Sequence, residues 1–123
     1  MDIYREIILD HYKNPRNFGH LEKYDAKVEE GNVTCGDTIV MEIQVNTLHE
    51  IEDIRFSGAG CAISQASASM LTEYVKGKKL KNIIQLTSAD ILKMLGTTLT
   101  PSRMKCATLC LEVLQKAVLT YGR

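Results

Sequence analysis

Polar and apolar residues alternate along this chain with two different periods. Tyr4, Ile7, Ile8 and His11 fall at i, i+3, i+4 and i+7, which predicts an amphipathic helix over the first dozen residues. Asn14-Pro15 ends it, because the residue before a proline is pushed out of the helical region. Residues 16–27 read as irregular, with Gly19 and few apolar positions. Ile39, Met41, Ile43 and Val45 then alternate with Val40, Glu42, Gln44 and Asn46, the pattern of a half-buried strand. Residues 47–50 turn the chain into a second strand over 51–56, with Ile54 and Phe56 inward and Asp53 and Arg55 outward. Residues 28–33 are predicted as a third strand. Connections this short cannot make parallel crossovers, so the three form an antiparallel meander.

After the strands the period lengthens. Ser57-Gly58-Ala59-Gly60 reads as a loop, and residues 62–76 as a helix rich in Ala, Ser, Met and Leu that stops at Gly77. The lysines at 76, 78 and 79 suit a solvated helix end, where the dipole favours cations. Thr87 and Asp90 have the spacing of a capping box, opening a short helix to Leu95 that Gly96 stops. Thr100 and Pro101 open the last helix, with the stripe Ala107, Cys110, Leu111, Leu114, Ala117, Val118 and Tyr121. Strands first and helices after give an α+β domain with a small antiparallel three-stranded sheet covered by helices.

Composition narrows the class. The 123 residues provide for a single domain spanning 1–123. Fifteen Lys and Arg balance fifteen Asp and Glu, so the basic footprint of a nucleic-acid binder is absent. No run approaches the ~18 apolar residues that span a bilayer, and no membrane partner is expected. The acidic start Met1-Asp2-Ile3-Tyr4-Arg5-Glu6 lacks the layout of a signal peptide, and a cytoplasmic address is the expectation. For the same reason Asn32-Val33-Thr34 carries no meaning as a glycosylation pattern.

The four cysteines, at 35, 61, 106 and 110, are too dispersed for a zinc knuckle and are read as thiols. Cys35 sits in the loop Thr34-Cys35-Gly36-Asp37, Cys61 follows a Gly-Ala-Gly loop at a helix start, and Cys106 lies in the first two turns of the last helix beside Lys105. Helix N-termini and adjacent cations stabilise thiolate, the form that binds metal and attacks sulfur. With Asp37 two residues from Cys35, three thiolates and one carboxylate could converge on zinc, iron or an iron–sulfur cluster. The competing reading is that these cysteines are simply packed, as free cysteine often is. Cys110, on the apolar stripe, is assigned to the core. His11 is expected to pack on its helix, and His20 and His49 to lie at the surface. Ser64, Ser67 and Ser69 show no base partner in the sequence, which leaves serine nucleophile chemistry without support.

Four stretches together resemble one family. Asp10-His11-Tyr12-Lys13-Asn14-Pro15-Arg16-Asn17, Thr34-Cys35-Gly36-Asp37, Gly60-Cys61-Ala62-Ile63-Ser64-Gln65-Ala66-Ser67-Ala68-Ser69 and Arg103-Met104-Lys105-Cys106-Ala107 are similar to the iron–sulfur cluster scaffolds IscU, SufU and the N-terminal domain of NifU. The resemblance implies an exposed site in which Cys35, Cys61 and Cys106, with Asp37, hold the metal. It implies a scaffold that builds a [2Fe-2S] cluster from iron and the persulfide sulfur of a cysteine desulfurase, then passes it to apo iron–sulfur proteins. Cys106 is the expected persulfide acceptor, with Cys35 second. The 14–17 segment and the site loops would contact the desulfurase, and the cluster would sit in a monomer or between two copies of the chain.

Two departures from the family pattern matter. Lys105 stands where IscU has a histidine, and an ammonium has no lone pair for a metal, so Lys105 would tune Cys106 or contact a partner. Leu99-Thr100-Pro101-Ser102-Arg103 keeps only part of the chaperone motif Leu-Pro-Pro-Val-Lys, which puts chaperone docking in doubt. Lys105 and the 60–69 run resemble SufU, but residues 81–100 are too few for the SufU insertion. The expectation is therefore a non-catalytic scaffold. The alternative is a zinc-dependent sulfurtransferase with Zn²⁺ on the same four residues, and a purely structural zinc domain ranks below both.

Overall fold

The computed structural model describes residues 3–32, 36–96 and 99–122. Cys35, together with Val33 and Thr34, lies outside the described residues. The elements run α1 (Ile3–Lys13), β1 (Ala26–Asn32), β2 (Asp37–Val45), β3 (Ile51–Ala59), α2 (Ala62–Val75), α3 (Leu80–Ile84), α4 (Ser88–Leu95) and α5 (Pro101–Tyr121). The sheet has the order β1-β2-β3, antiparallel throughout, as the meander requires.

Alternation on β2 and β3 builds the core. Ile39, Met41 and Ile43 face the helices with Ile54 and Phe56, and all five are fully buried. Met41 stands opposite Phe56 and Ile43 opposite Ile54, so the apolar pairs of neighbouring strands share one layer. α5 packs on β1 and β2, α2 on β3, and α1 on α2. Residues 64–72 of α2 are all buried, which explains why that helix is built from Ala and Ser: bulk would not fit between its neighbours. No helix among the described residues is long and apolar enough to cross a membrane.

Several expectations are corrected. β3 continues through Ser57–Ala59 instead of ending at Phe56. Gly58 makes this possible: its φ is +120°, and a Cβ there would lie 2.0 Å from the Thr38 carbonyl oxygen across the ladder. β1 begins at Ala26, two residues before the predicted strand. The short α3 was not predicted, because five residues are too few to display a period. Ile7 is exposed, so α1 buries Ile8 and His11 through a narrower stripe than predicted. Glu42, expected outward, is buried because residues 20–21 fold over it. Its carboxylate accepts the Leu21 N–H at 2.7 Å and lies 3.1 Å from His20 Nδ1.

A polar seam ties the segment after α1 to the rest. Ser69 Oγ accepts the Arg16 N–H at 2.8 Å and lies 2.8 Å from His11 Nδ1, and Asn17 Nδ2 donates to Thr72 Oγ1 at 3.2 Å. The Phe56 N–H then donates to the Asn17 carbonyl and the Gly19 N–H to the Phe56 carbonyl, both at 2.9 Å. This stub covers part of the outer edge of β3, which would otherwise be open to pairing with another chain. His11 is thus a packed residue. Its partner Ser69 is fully buried, out of reach of any substrate.

Candidate metal centre

The continuation of β3 is what brings the site together. Thr38 pairs with Ala59, so the residues that follow, Gly60 and Cys61, emerge beside Asp37 at the start of β2. Cys61 precedes the first turn of α2 with extended backbone angles, and its N–H donates to Asp37 Oδ1 at 3.0 Å. Gly60 is fitted to this corner by its lack of a side chain. A Cβ on it would lie 2.3 Å from Ser64 Oγ and 2.6 Å from Asp37 Oδ1. Cys106 arrives from the second turn of α5.

Asp37, Cys61 and Cys106 each present one ligand atom, and these atoms all lie within 4.8 Å of one another. Asp37 and Cys106 are 1% exposed and Cys61 is half-buried, so this part of the site is more enclosed than the exposed site the resemblance implies. Asp37 Oδ2 is buried and has no hydrogen-bond partner among the described residues. A carboxylate oxygen held that way costs about 1–3 kcal/mol, more if charged, unless something fills the gap. A cation bound by two thiolates and this oxygen would do so, and the donor set suits zinc or iron.

The electrostatics centre on Cys61. Burial is the largest influence and opposes ionisation, and the negative charge of Asp37 opposes it too. The backbone N–H and hydroxyl of Ser64 and the thiol of Cys106 outweigh both and hold the Cys61 thiol below its ordinary value. These donors act as nearby dipoles, since the Cys61 side chain closes no cap hydrogen bond on α2. Cys106 Sγ lies 3.6 Å from the Ser102 carbonyl oxygen.

Cys110 is separate. It is fully buried, its Sγ donates to the Ala107 carbonyl at 3.4 Å, and burial pushes its thiol up to about 12. It belongs to the core, as the stripe on α5 indicates. Lys105 is exposed on α5 while the adjacent Cys106 points inward. Sequence reasoning missed Ser64 as a neighbour of the candidate metal centre. The available signal was its position three residues after Cys61, from which a serine hydroxyl can reach back to the carbonyl of the residue before the helix.

Comparison with known proteins shows the family. The NifU-like N-terminal domain family matches residues 3–123. The chain is 44% identical over 119 residues to the iron–sulfur cluster assembly scaffold protein IscU of Aquifex aeolicus, covering 96% of this chain and 75% of that protein. It is 38% identical over 133 residues to the zinc-dependent sulfurtransferase SufU of Bacillus subtilis, covering 94% and 89%. A crystal structure of the N-terminal part of a NifU-like protein from Brucella abortus shares the fold, with a TM-score of 0.80 over 98% of this chain and 94% of that one at 19% identity. The chain therefore belongs to the NifU-like N-terminal domain family, the family of IscU and SufU.

Proposed function

We propose that this single-domain protein is a scaffold on which a [2Fe-2S] cluster is assembled and from which it is passed to apo-proteins. The observation that carries this is the convergence of Asp37 with Cys61 and Cys106, where one buried carboxylate oxygen has no hydrogen-bond partner among the described residues. Cys35, two residues before Asp37 in sequence, supplies the third thiolate and completes a set of three sulfurs and one oxygen. Ferredoxin-type clusters are held by four thiolates, and a harder oxygen ligand in place of one makes a cluster easier to release. That suits a cargo.

Sulfur enters by thiol–disulfide chemistry. A scaffold thiolate attacks the outer sulfur of the persulfide on a cysteine desulfurase. The desulfurase thiolate leaves, and the outer sulfur now sits on the scaffold as a new persulfide. Two electrons from an external donor then release it as sulfide to iron. Cys106 is the proposed acceptor, and its burial means that docking of the desulfurase must uncover it. Lys105 and Cys106 are adjacent on α5 and so point about 100° apart. The exposure of Lys105 supports partner contact over tuning of that thiol.

A second reading is favoured by the same donor set and by the likeness to a zinc-dependent sulfurtransferase. Three thiolates and a carboxylate also satisfy tetrahedral zinc, and release of one cysteine from zinc would expose a nucleophile for persulfide. The separating experiment incubates the chain with iron, cysteine and a cysteine desulfurase without oxygen, then adds an apo iron–sulfur protein. Cluster that forms on the chain and moves to the acceptor supports the scaffold. Persulfide transfer that needs zinc, with no cluster formed, supports the sulfurtransferase.

A further inference from the structure

Ser64 is fully buried, and its hydroxyl donates to the Cys61 carbonyl at 3.0 Å. Serines near helix starts often bond back to an earlier carbonyl with no ligand nearby. Ser67, one turn on, does so to the Ile63 carbonyl at 2.7 Å. Ser64 differs in its surroundings. Its oxygen fills the space beside Gly60, 2.3 Å from where a Cβ would stand, and Asp37 Oδ1 lies 2.6 Å from the same point. One buried side chain thus touches the corner that carries Cys61 and borders the carboxylate that completes the donor set.

We propose that Ser64 is a positioning residue of the metal centre: its hydroxyl braces the Gly60–Cys61 corner so that the Cys61 sulfur is held toward Asp37 and Cys106, and it slows the departure of metal. This rests on the reading of Asp37, Cys61 and Cys106 as a donor set. Hydrogen-bond partners of metal ligands typically change affinity ten- to a hundred-fold when removed. A hydroxyl bonded to the carbonyl of one ligand and packed at Gly60 beside the carboxylate of another has that role here. It fixes the backbone from which the Cys61 side chain projects toward Asp37 and Cys106.

The test uses the full chain, reduced and loaded with zinc, and follows zinc passing to a chromophoric chelator. A parallel sample loaded with cobalt(II) reports thiolate coordination through its sulfur-to-metal absorption. Ser64→Ala is expected to lose zinc at least about tenfold faster and to shift the cobalt spectrum, whereas Ser67→Ala leaves both unchanged. If Ser64→Ala lowers the unfolding temperature of the metal-free chain, Ser64→Thr, which keeps the hydroxyl, must restore zinc retention. Failure of that rescue overturns the proposal. Zinc retention in Ser64→Ala equal to that of the unaltered chain overturns it alone, and an unaltered chain that holds no zinc overturns the donor-set reading with it.

Discussion

Asp37 accepts the Cys61 N–H with one carboxylate oxygen, at 3.0 Å, and its other, buried oxygen has no hydrogen-bond partner among the described residues. The first contact fixes where Cys61 stands. The second is a stability cost that a bound cation would offset, since buried carboxylate oxygens are otherwise paired.

Asp37→Asn separates these two roles. The amide oxygen still accepts from Cys61, while the charge that draws a cation is gone. The metal-free variant is expected to unfold at an equal or higher temperature than the unaltered chain, and to hold zinc about ten- to a hundred-fold more weakly. Calorimetry of the metal-free form and chelator competition measure the two effects.

Cys106→Ser removes the proposed acceptor while nearly preserving volume. Mass spectrometry after incubation with a desulfurase and cysteine is expected to show the additional sulfur atom lost from the peptide containing position 106. A variant that accepts desulfurase sulfur as fast as the unaltered chain places the acceptor at Cys35 or Cys61.

Cys110→Ala leaves a small cavity on the core side of α5, one turn beyond Cys106. It is expected to cost about 1 kcal/mol in urea unfolding and to leave metal and sulfide content unchanged.

His11 sets a pH dependence of the fold. Burial, aided by the Arg16 charge, pulls its pKa below the ordinary 6.5 against the opposing pull of Glu73 and Asp10. The unfolded chain therefore binds more protons than the folded one as the pH falls through about 6.5, and stability declines there. The metal-free chain is expected to lose melting temperature on going from pH 7.5 to pH 5.5, and His11→Gln to flatten that slope. The slope is measured by thermal unfolding across the range.

Much of this molecule is legible in its sequence. Alternation at Ile39, Met41 and Ile43 gives the buried face of β2, and Thr87, Asp90 and Gly96 bracket α4 as capping chemistry demands. Gly58 misleads, because glycine marks a loop as often as a crowded strand, and only the Thr38 carbonyl opposite it shows which. Glu42 misleads for a tertiary reason, since the loop that satisfies it lies about twenty residues away in sequence. In the candidate metal centre, spacing identifies cysteines near helix starts but not their meeting point. That point depends on the register of Thr38 with Ala59, a pairing that no local pattern encodes.

The most direct test of the scaffold reading is the iron, zinc and acid-labile sulfide content per chain, on protein isolated without oxygen from cells not supplied with excess zinc. Equal amounts of iron and sulfide, with little zinc and with both lost in a variant carrying Asp37→Ala, Cys61→Ser and Cys106→Ser, are the predicted result. One zinc per chain with no sulfide, together with a desulfurase that turns over faster in its presence, would contradict the scaffold and establish the sulfur carrier.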